Sequence, residues 1–326
     1  MSALLSYDHA LERLLAELTP VSAQSRALAQ AAGCVAAQDV HVAQPVPAQA
    51  MALRDGYEMQ AQEIAGASSY APVVLSAAPR FVHAGDALSA SCDCVVEASG
   101  VDLDGPLPQA LVESFPGENI RRAGEDFAQG ALLLRSGEVV SAHHALLLAL
   151  AGVADVSVRA PVIALRGEDG ALKNWLADQL AHAGANLDGA PDFVIALGAS
   201  ENAQQLALEP GREIVLAQEA DGPMIGMPAR LDQAFAALHA FIWPALVSLS
   251  GIVRVEKSLP LAQKIASRVG VTELALFEER EGHFHLLALG DLPLQSLVRA
   301  THVSLIGAMS EGHGAGEMMT AFPVRA

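Results

Sequence analysis

Residues 116–126 read Pro-Gly-Glu-Asn-Ile-Arg-Arg-Ala-Gly-Glu-Asp, and this stretch is the most informative part of the sequence. Around a turn that contains Gly124 lie two arginines and two carboxylates, Arg121, Arg122, Glu125 and Asp126. Glycine reaches backbone conformations that other residues avoid, so a tight turn is predicted here. Taken alone, the stretch is compatible with a solvated loop as well as with a functional site.

Two further stretches are unusual for a purely structural role. Residues 53–57 read Leu-Arg-Asp-Gly-Tyr, and an Asp-Gly step forms a tight turn that leaves the carboxylate of Asp55 exposed. Residues 225–228 read Ile-Gly-Met-Pro and lead into a predicted helix, so this Gly/Pro loop is a natural anion site. Each stretch also has an ordinary interpretation, an Asx turn for the first and a βα loop for the second.

Composition and charge exclude several classes of protein. Apolar residues make up 52% of the 326 residues, which excludes a wholly disordered chain, and about 100–200 residues per domain predicts two or three domains. The net charge of −18 leaves few clustered cations, so we expect neither a nucleic-acid nor a membrane partner. The longest apolar stretch, residues 145–153, is too short to span a bilayer, and the N-terminus has no basic region of a signal peptide. We therefore expect a cytoplasmic protein.

Cysteine and histidine patterns offer only weak metal candidates. Cys34, Cys92 and Cys94 are too few for a disulfide framework, and no second pair completes a zinc site. We interpret them as buried structural thiols. His283 and His285 fall on one face of a predicted strand and could bind a metal, but the exposed face of a hairpin is the favoured interpretation.

Periodicity predicts the order of the elements. A helix begins after Ser6 and ends before residues 19–20, Thr-Pro, and a second helix is predicted over residues 25–32. Short strands separated by Gly-rich turns follow to about residue 140.

After residue 161 strands alternate with helices, which predicts a parallel sheet that includes strands at residues 193–197 and 214–216. The long helix predicted over residues 232–250 should bend at Pro244. From about residue 251 the pattern is β again, with a hairpin turn at residues 280–282.

Together and in this order, the three stretches resemble the MoeA family, which includes the E domain of gephyrin. Residues 54–57, Arg-Asp-Gly-Tyr, are similar to the family pattern around Met-Asp-Gly-Tyr. Residues 119–126 match Asn-x-Arg-x-x-Gly-Glu-Asp, and residues 85–96 resemble Gly-x-x-Leu-Pro-x-Gly-x-Asp-x-Val-Val. The resemblance is specific over residues 6–165, and an unrelated acidic α/β protein is the less favoured interpretation.

The resemblance implies a multi-domain fold of α/β and β type. We expect an elongated MoeA-like architecture with a β-rich inserted domain, a trimmed α/β (MogA-like) domain with a mostly parallel sheet, and a small C-terminal β domain. The expected boundaries are residues 1–30 plus 140–160 for domain I, 31–139 for domain II, 161–250 for domain III and 251–326 for domain IV.

Beyond residue 165 the sequence departs from the family pattern. Thr-Gly-Asp-Glu is replaced by Arg-Gly-Glu-Asp at residues 166–169, and Gly-Gly-x-Ser-x-Gly by Leu-Gly-Ala-Ser-Glu-Asn at 197–202. Gly-Leu-Pro-Gly-Asn-Pro becomes Gly-Met-Pro-Ala-Arg-Leu at residues 226–231, and Pro-Gly-Arg-Thr-Glu becomes Val-Gly-Val-Thr-Glu at 269–273. Lost glycines weigh against full activity, because a side chain prevents close approach of the backbone to a phosphate.

The family inserts molybdate into adenylylated molybdopterin, the last step of molybdenum-cofactor synthesis. The resemblance implies a site between the β-rich and α/β domains, across a homodimer, with molybdopterin and molybdate as substrates. The implied catalytic residues are Asp55, Glu125 and Asp126, and the implied Mg²⁺ ligands are Asp55, Glu168 and Asp169. The implied substrate-binding residues are Arg121, Arg122, Gly167, Glu168, Asp169, Gly198, Ser200, Gly226, Pro228 and Arg230.

Two functions from different classes remain open. The first is an active molybdopterin molybdotransferase with reduced activity. The second is a catalytically degenerate MoeA-like protein that serves as a binding or scaffold protein. The expected partners are a second copy of the chain, molybdopterin or its adenylate, and molybdoenzymes or other proteins of the cofactor pathway.

Overall fold

The structure, a computed structural model, describes residues 4–198 and 204–324. Its contacts divide the chain into two units. The first, here called the α/β unit, comprises Met1–Asp39, Leu134–Ala145 and Asp155–Ala326. The second, here called the β unit, comprises Val40–Leu133 and Leu146–Ala154. The β unit is thus an insertion within the sequence of the α/β unit.

Helices and strands are named here by their ranges. Within the described residues the helices are Tyr7–Glu17, Leu28–Ala31, Ala142–Leu150, Ala171–His182, Leu231–Ala237, Trp243–Ser250 and Leu294–Arg299, with a π-helix at Leu238–Ile242 and short 3-10 turns at Ala61–Ile64 and Ala98–Gly100. The strands of the β unit and its border are Val40–His41, Met51–Ala52, Gly56–Met59, Val73–Val74, Phe81–Val82, Cys94–Val96, Val101–Asp102, Gln109–Ala110, Ile120–Arg121 and Leu132–Leu134. The strands of the α/β unit are Leu5–Ser6, Gln24–Ala27, Val35–Ala36, Asp155–Arg159, Ile163–Arg166, Phe193–Leu197, Leu206–Glu209, Val215–Glu219, Gly222–Met227, Lys257–Pro260, Ile265–Ala266, Thr272–Arg280, His283–Leu289, His302–Ile306, Gly312–His313 and Met318–Pro323.

The first predicted helix is confirmed. Ser6 caps it by accepting a hydrogen bond from the His9 N–H at 3.2 Å, because a side-chain oxygen satisfies an N–H that has no partner within the helix. Its buried face includes Leu14, and the buried Tyr7 hydroxyl donates to the Ala240 carbonyl at 2.9 Å. The helix is thereby fixed to the core of the α/β unit.

The second predicted helix, over residues 25–32, is wrong in its first half. Gln24–Ala27 is a strand that pairs antiparallel with Asp155–Arg159, and only Leu28–Ala31 is helical. The pairing partner lies more than 120 residues away in the sequence, so tertiary pairing overrides a weak local helical preference. Local periodicity cannot detect such a partner.

The four-stranded sheet of the α/β unit is mostly parallel, as predicted. Ile163–Arg166, Phe193–Leu197 and Gly222–Met227 lie side by side and parallel. The predicted strand at residues 214–216 is present as Val215–Glu219, but it runs antiparallel to Gly222–Met227. The expectation of a loop at residues 225–228 is wrong for its first three residues, because they form part of an inner strand. Both faces of such a sheet are buried, so its strands read as continuous apolar runs.

The long helical run is continuous from Leu231 to Ser250 and is held in the core. Its π-helical turn, Leu238–Ile242, lies immediately before Trp243 and Pro244. The wider turn accommodates the missing N–H of Pro244, so the predicted irregularity takes the form of a π-helical segment. Among the described residues this run is the one helix apolar and long enough to cross a membrane, and 78% of its most apolar window is buried within the protein.

A seven-stranded sheet contains most of the C-terminal strands. Its order is Leu5–Ser6, Leu206–Glu209, Thr272–Arg280, His302–Ile306, Met318–Pro323 and Lys257–Pro260, and His283–Leu289 also pairs with Thr272–Arg280. The predicted hairpin is confirmed, since Arg280 pairs with His283 and both intervening residues, Glu281 and Gly282, have positive φ. Two of the seven strands come from residues before 251, which the sequence did not predict.

The β unit consists of small sheets. Gly56–Met59 pairs with both Phe81–Val82 and Cys94–Val96. Gly56 is required at its position because a Cβ there would overlap the carbonyl oxygen of Val96. A second sheet pairs Met51–Ala52 with Ile120–Arg121, and this pairing brings two of the sequence motifs together.

Candidate functional site

Asp55 lies in the β unit, in the loop that precedes Gly56–Met59. Its side chain is 62% exposed, and its Oδ1 accepts a hydrogen bond from the Ala84 N–H at 2.8 Å. Its Oδ2 lies 3.5 Å from the Nδ1 of His83. The Ala84 hydrogen bond, followed by that of His83, lowers the pKa of Asp55 below its ordinary value. The Asp-Gly turn therefore presents an ionised carboxylate to solvent, as the sequence predicted.

The motif at residues 53–57 lies beside the motif at residues 119–126. The Leu53 N–H donates to the Asn119 carbonyl at 2.8 Å, and Asn119 Nδ2 donates to the Val95 carbonyl at 2.9 Å. Arg54 forms an ion pair with Glu97 at 2.6 Å. Arg54, Glu97 and Asn119 border a polar cleft of about 440 Å³ in the β unit.

The turn at residues 121–126 satisfies its own charges. The Arg122 N–H donates to Glu125 Oε2 at 2.7 Å, and Arg121 forms an ion pair with Asp126. The Arg122 guanidinium donates to the Pro116 carbonyl at 3.1 Å. Both carboxylates and both arginines thus have partners within residues 116–126, whereas the partners of Asp55, His83 and Ala84, come from a different loop.

In the α/β unit, three predicted residues come directly after the carboxyl ends of neighbouring parallel strands. They are Gly167, Gly198 and Pro228. The Gly198 N–H donates to the Met227 carbonyl at 2.8 Å, so two of these ends are joined. We call these three positions and the residues beside them the carboxyl edge. Ligands of open α/β sheets bind outside this edge.

The remaining predicted residues of the α/β unit lie at or near the carboxyl edge. Gly226 is inside its strand, paired with Ala196, one residue before the strand ends. Ser200 lies outside the described residues. Glu168 is exposed and has no hydrogen-bond or ion-pair partner among the described residues.

Two charged side chains at this edge are already paired. Asp169 forms an ion pair with Lys173 at 2.9 Å, and the hydrogen bond from Lys173 lowers the pKa of Asp169. Arg230 forms an ion pair with Asp232 at 2.7 Å. Lys173 was not anticipated, although its position four residues after Asp169, at the start of a helix, could have indicated the pair.

The carboxylates of the candidate site can bind Mg²⁺ only if a substrate supplies further oxygen ligands. Among residues 4–198 and 204–324, no three His, Cys, Asp or Glu side chains come together as a metal cluster. Mg²⁺ usually keeps several waters and takes one or two carboxylates plus substrate phosphates. Asp55 in the β unit and Glu168 in the α/β unit each fit the role of a single carboxylate donor, whereas Asp169 is engaged with Lys173.

The sequence missed the partners that orient Asp55. His83 and Ala84 come from the loop after Phe81–Val82, which no motif marked. The prediction of buried thiols is confirmed for Cys34 and Cys94 and is wrong for Cys92, which is half-buried. Burial raises the pKa of Cys94 to about 11, and such a thiol is unreactive.

An inserted β unit and a mostly parallel sheet with helices define a multi-domain α/β protein. Residues 5–152 match the family described as MoeA N-terminal region (domain I and II). A molybdopterin molybdenumtransferase of Synechococcus elongatus is 24% identical over 397 aligned positions, which cover 96% of this chain and 98% of that protein. Residues 5–152 therefore belong to the MoeA family, and the whole chain is similar to MoeA proteins in sequence and in fold.

Other comparisons differ in how much of each chain they cover. A relative from Methanocaldococcus jannaschii, named for molybdopterin biosynthesis, is 26% identical over 140 residues, which are 40% of this chain and 35% of that protein. The match therefore spans about a third of that relative's length. A molybdopterin biosynthesis moeA protein of Pyrococcus horikoshii OT3 has the same fold, with a TM-score of 0.66 at 20% identity, over 98% of this chain and 100% of that chain.

Proposed function

We propose that the chain is a molybdopterin molybdotransferase that inserts molybdate into adenylylated molybdopterin, with lower activity than relatives that retain the glycines of the carboxyl edge. The observation that supports this proposal is the state of Asp55. Its carboxylate is exposed and oriented by the Ala84 N–H, and its only side-chain partner is His83. A carboxylate of this kind is available to a metal–phosphate ligand.

The proposed roles in the β unit follow from the hydrogen bonds of Asp55. The Ala84 N–H stabilises the charged form, so Asp55 stays ionised at neutral pH and below. Mg²⁺, held by Asp55 or by Glu168 together with substrate, would supply positive charge to phosphate and molybdate oxygens. The turn at residues 121–126 would act by fixing the loop beside Asp55, because the Leu53 N–H is bonded to Asn119.

The proposed roles in the α/β unit rest on backbone access. Gly198 follows a strand end without a side chain, and no atom of the described residues lies within 4 Å of its ideal Cβ position, so a phosphate can approach the main chain there. Arg230 would add positive charge, since a guanidinium has five N–H donors and only Nη2 is bonded to Asp232. Ala229 replaces a glycine of the family pattern, and its methyl group leaves less room for a phosphate near the main chain. This replacement is the reason for the lower activity that we propose.

The second candidate, a catalytically degenerate binding or scaffold protein, is favoured by the pairing of charges at the carboxyl edge. Asp169 is held by Lys173, and Arg230 is held by Asp232. When the charged side chains of the edge are paired within the chain, fewer of them can bind a reacting phosphate. Such a protein would bind molybdopterin, or a molybdoenzyme or another protein of the pathway, without transfer.

Release of AMP tests the two candidates. Purified protein is mixed with adenylylated molybdopterin, Mg²⁺ and molybdate, and AMP is measured against time. We expect molybdate-dependent release, and Asp55→Asn should reduce it by about 100-fold or more, because loss of a preorganised charge has effects of this size. Asp102→Asn is the matched control, since Asp102 also accepts a backbone N–H (that of Asp104) and is no candidate for the site.

Calorimetry with molybdopterin separates the remaining outcomes. Wild-type protein that binds molybdopterin but releases no AMP would favour the scaffold. Protein that does neither would reject the transferase and would leave a scaffold that binds proteins rather than molybdopterin. Sedimentation of the same samples tests the further proposal that the active form is a homodimer.

A further inference from the structure

A mostly apolar cleft in the α/β unit contains an arginine that has no acidic partner. The cleft has a volume of about 460 Å³ and lies beside Trp243 and the segment Ile252, Val253, Arg254 and Val255. Val253 and Val255 are exposed to 62% and 71%, so apolar surface flanks the arginine on both sides in the sequence. A cleft of this size falls within the range typical of small-molecule sites.

Arg254 is held by aromatic rings and by a single hydrogen bond. Its guanidinium lies 5.0 Å from the ring centroid of Trp243 and 3.9 Å from that of Phe322. Its Nη2 donates to the Nδ1 of His239 at 2.5 Å. No Asp or Glu of the described residues is paired with it, and burial lowers its pKa to about 9. Most of its five N–H donors are therefore free for a ligand.

His239 lies beside Arg254 and also has a polar atom without a hydrogen-bond partner among the described residues. It is 5% exposed, and because its Nδ1 accepts from Arg254, its proton lies on Nε2. This Nε2 is buried and has no hydrogen-bond partner among the described residues. It belongs to a smaller cavity of about 160 Å³, which is also bordered by Arg254 and Ser304. Arg254 thus borders both cavities.

A half-buried cation without a counter-charge among the described residues is unfavourable to the fold, so its presence needs a reason. We propose that the cleft binds a small organic anion, with its carboxylate on Arg254 and its apolar or aromatic body against Trp243, Val253 and Val255. The planar guanidinium fork matches a carboxylate, and the apolar walls match the body. Glu138 also borders the cleft and would repel a dianion, which favours a monocarboxylate over phosphate.

Tryptophan fluorescence measures binding in this cleft. The chain has two tryptophans, so Trp175→Phe leaves Trp243 as the only one. The probes are acetate, hexanoate and benzoate, each compared with its neutral amide and with inorganic phosphate. We expect saturable binding of hexanoate and benzoate, weaker binding of acetate, and at least about tenfold weaker binding of the amides, because an ionic hydrogen bond is lost.

The substitution Arg254→Met should lower the affinity for hexanoate and benzoate to the affinity for their amides. Arg299→Gln is the matched control, because Arg299 is paired with Glu278. This variant should bind the probes as tightly as the parent does. Without ligand, Arg254→Met should melt at the same temperature as the parent or higher, since it removes an uncompensated half-buried charge.

Three results would overturn the proposal. The first is failure of hexanoate and benzoate to bind, and the second is binding that Arg254→Met leaves unchanged. The third is binding of inorganic phosphate alone. A marked fall in the melting temperature of Arg254→Met would show that Arg254 is a structural residue, and would also count against it.

Discussion

In the β unit, Gly56 lies where a Cβ would overlap the Val96 carbonyl oxygen, whereas at the carboxyl edge of the α/β unit a Cβ on Gly198 would meet no atom of the described residues within 4 Å. At the same edge Gly167 is packed against Leu197, with 2.8 Å from its ideal Cβ position to the Leu197 Cβ. The glycine at residue 56 is thus explained by the fold, while the glycine at residue 198 is explained by its positive φ of 87°. Retained glycines in this chain therefore do not by themselves indicate a ligand.

A similar contrast separates two carboxylates of the β unit. Glu58 is buried and accepts hydrogen bonds from Arg80 and from both the N–H and the hydroxyl of Ser89. Asp55 is exposed and accepts from one backbone N–H. Both have lowered pKa values, so the pKa alone does not distinguish a structural carboxylate from a functional one. The two carboxylates differ in exposure and in the number of their hydrogen-bond partners.

The largest effect is expected from Gly56→Ala. The new methyl group would overlap backbone that cannot move without breaking the pairing of Gly56–Met59, so we expect a loss of about 3 kcal/mol or more in the free energy of unfolding. Hydrogen exchange of peptides from residues 51–96 measures the effect locally. Protection close to that of the parent would show that the strand can shift, and would weaken the comparison with Gly198.

Glu58→Gln should come next, with a loss of about 2–3 kcal/mol, because it leaves the donors of Arg80 and Ser89 poorly matched. The Arg80 hydrogen bond is the largest cause that lowers the pKa of Glu58 from 4.5 to about 2. Its folded pKa is below its unfolded pKa, so its contribution to stability is complete above pH 4.5 and is lost as the pH falls towards 2.

Thermal melts of both carboxylate variants between pH 7 and pH 3 check this prediction. The parent should lose more stability than Glu58→Gln over that interval. At pH 7 the free energy of unfolding of Asp55→Asn should lie within about 0.5 kcal/mol of that of the parent, as is usual for substitutions at exposed sites. Equal pH dependence in the parent and in Glu58→Gln would contradict the structural role of Glu58.

Elements determined by nearby residues could be predicted from the sequence, and those that depend on distant partners could not. The helix Tyr7–Glu17 and the turn at Glu281-Gly282 follow from a cap and from local turn chemistry. The strand Gln24–Ala27 depends on Asp155–Arg159, and Leu206–Glu209 depends on Thr272–Arg280. No local pattern specifies either partner.

The candidate site divides in the same way. The exposure of Asp55 follows from the Asp-Gly step, but the Ala84 N–H that orients it comes from a loop about 30 residues later. At the carboxyl edge, the predicted parallel sheet accounts for the neighbouring positions of Gly167, Gly198 and Pro228, because parallel strands end on the same side, whereas their role in binding stays a prediction. The ion pairs that engage Asp169 and Arg230 emerge only from side-chain geometry.

A smaller effect is expected from Gly198→Ala. No atom of residues 4–198 and 204–324 lies within 4 Å of the position that its Cβ would take, so among these residues only the positive φ of 87° opposes the change. A left-handed conformation costs an alanine about 1–2 kcal/mol, and urea unfolding followed by tryptophan fluorescence measures it in the α/β unit. A loss as large as that of Gly56→Ala would show that the carboxyl edge is as tightly packed as the β-unit strand.

The smallest change in stability is expected from Arg230→Gln. Arg230 is 69% exposed and its pair with Asp232 is solvated, so the free energy of unfolding should change by about 0.5 kcal/mol or less. If the edge binds molybdopterin phosphate through Arg230, calorimetry should nevertheless show affinity lower by about tenfold or more, since an ionic hydrogen bond to phosphate is lost. Arg299→Gln removes a similarly exposed arginine from its pair with Glu278 and should change neither quantity. Unchanged affinity in Arg230→Gln would mean that Arg230 contributes only its ion pair with Asp232. The charges of the carboxyl edge would then be paired within the chain, like those of the turn at residues 121–126 and unlike the exposed carboxylate of Asp55.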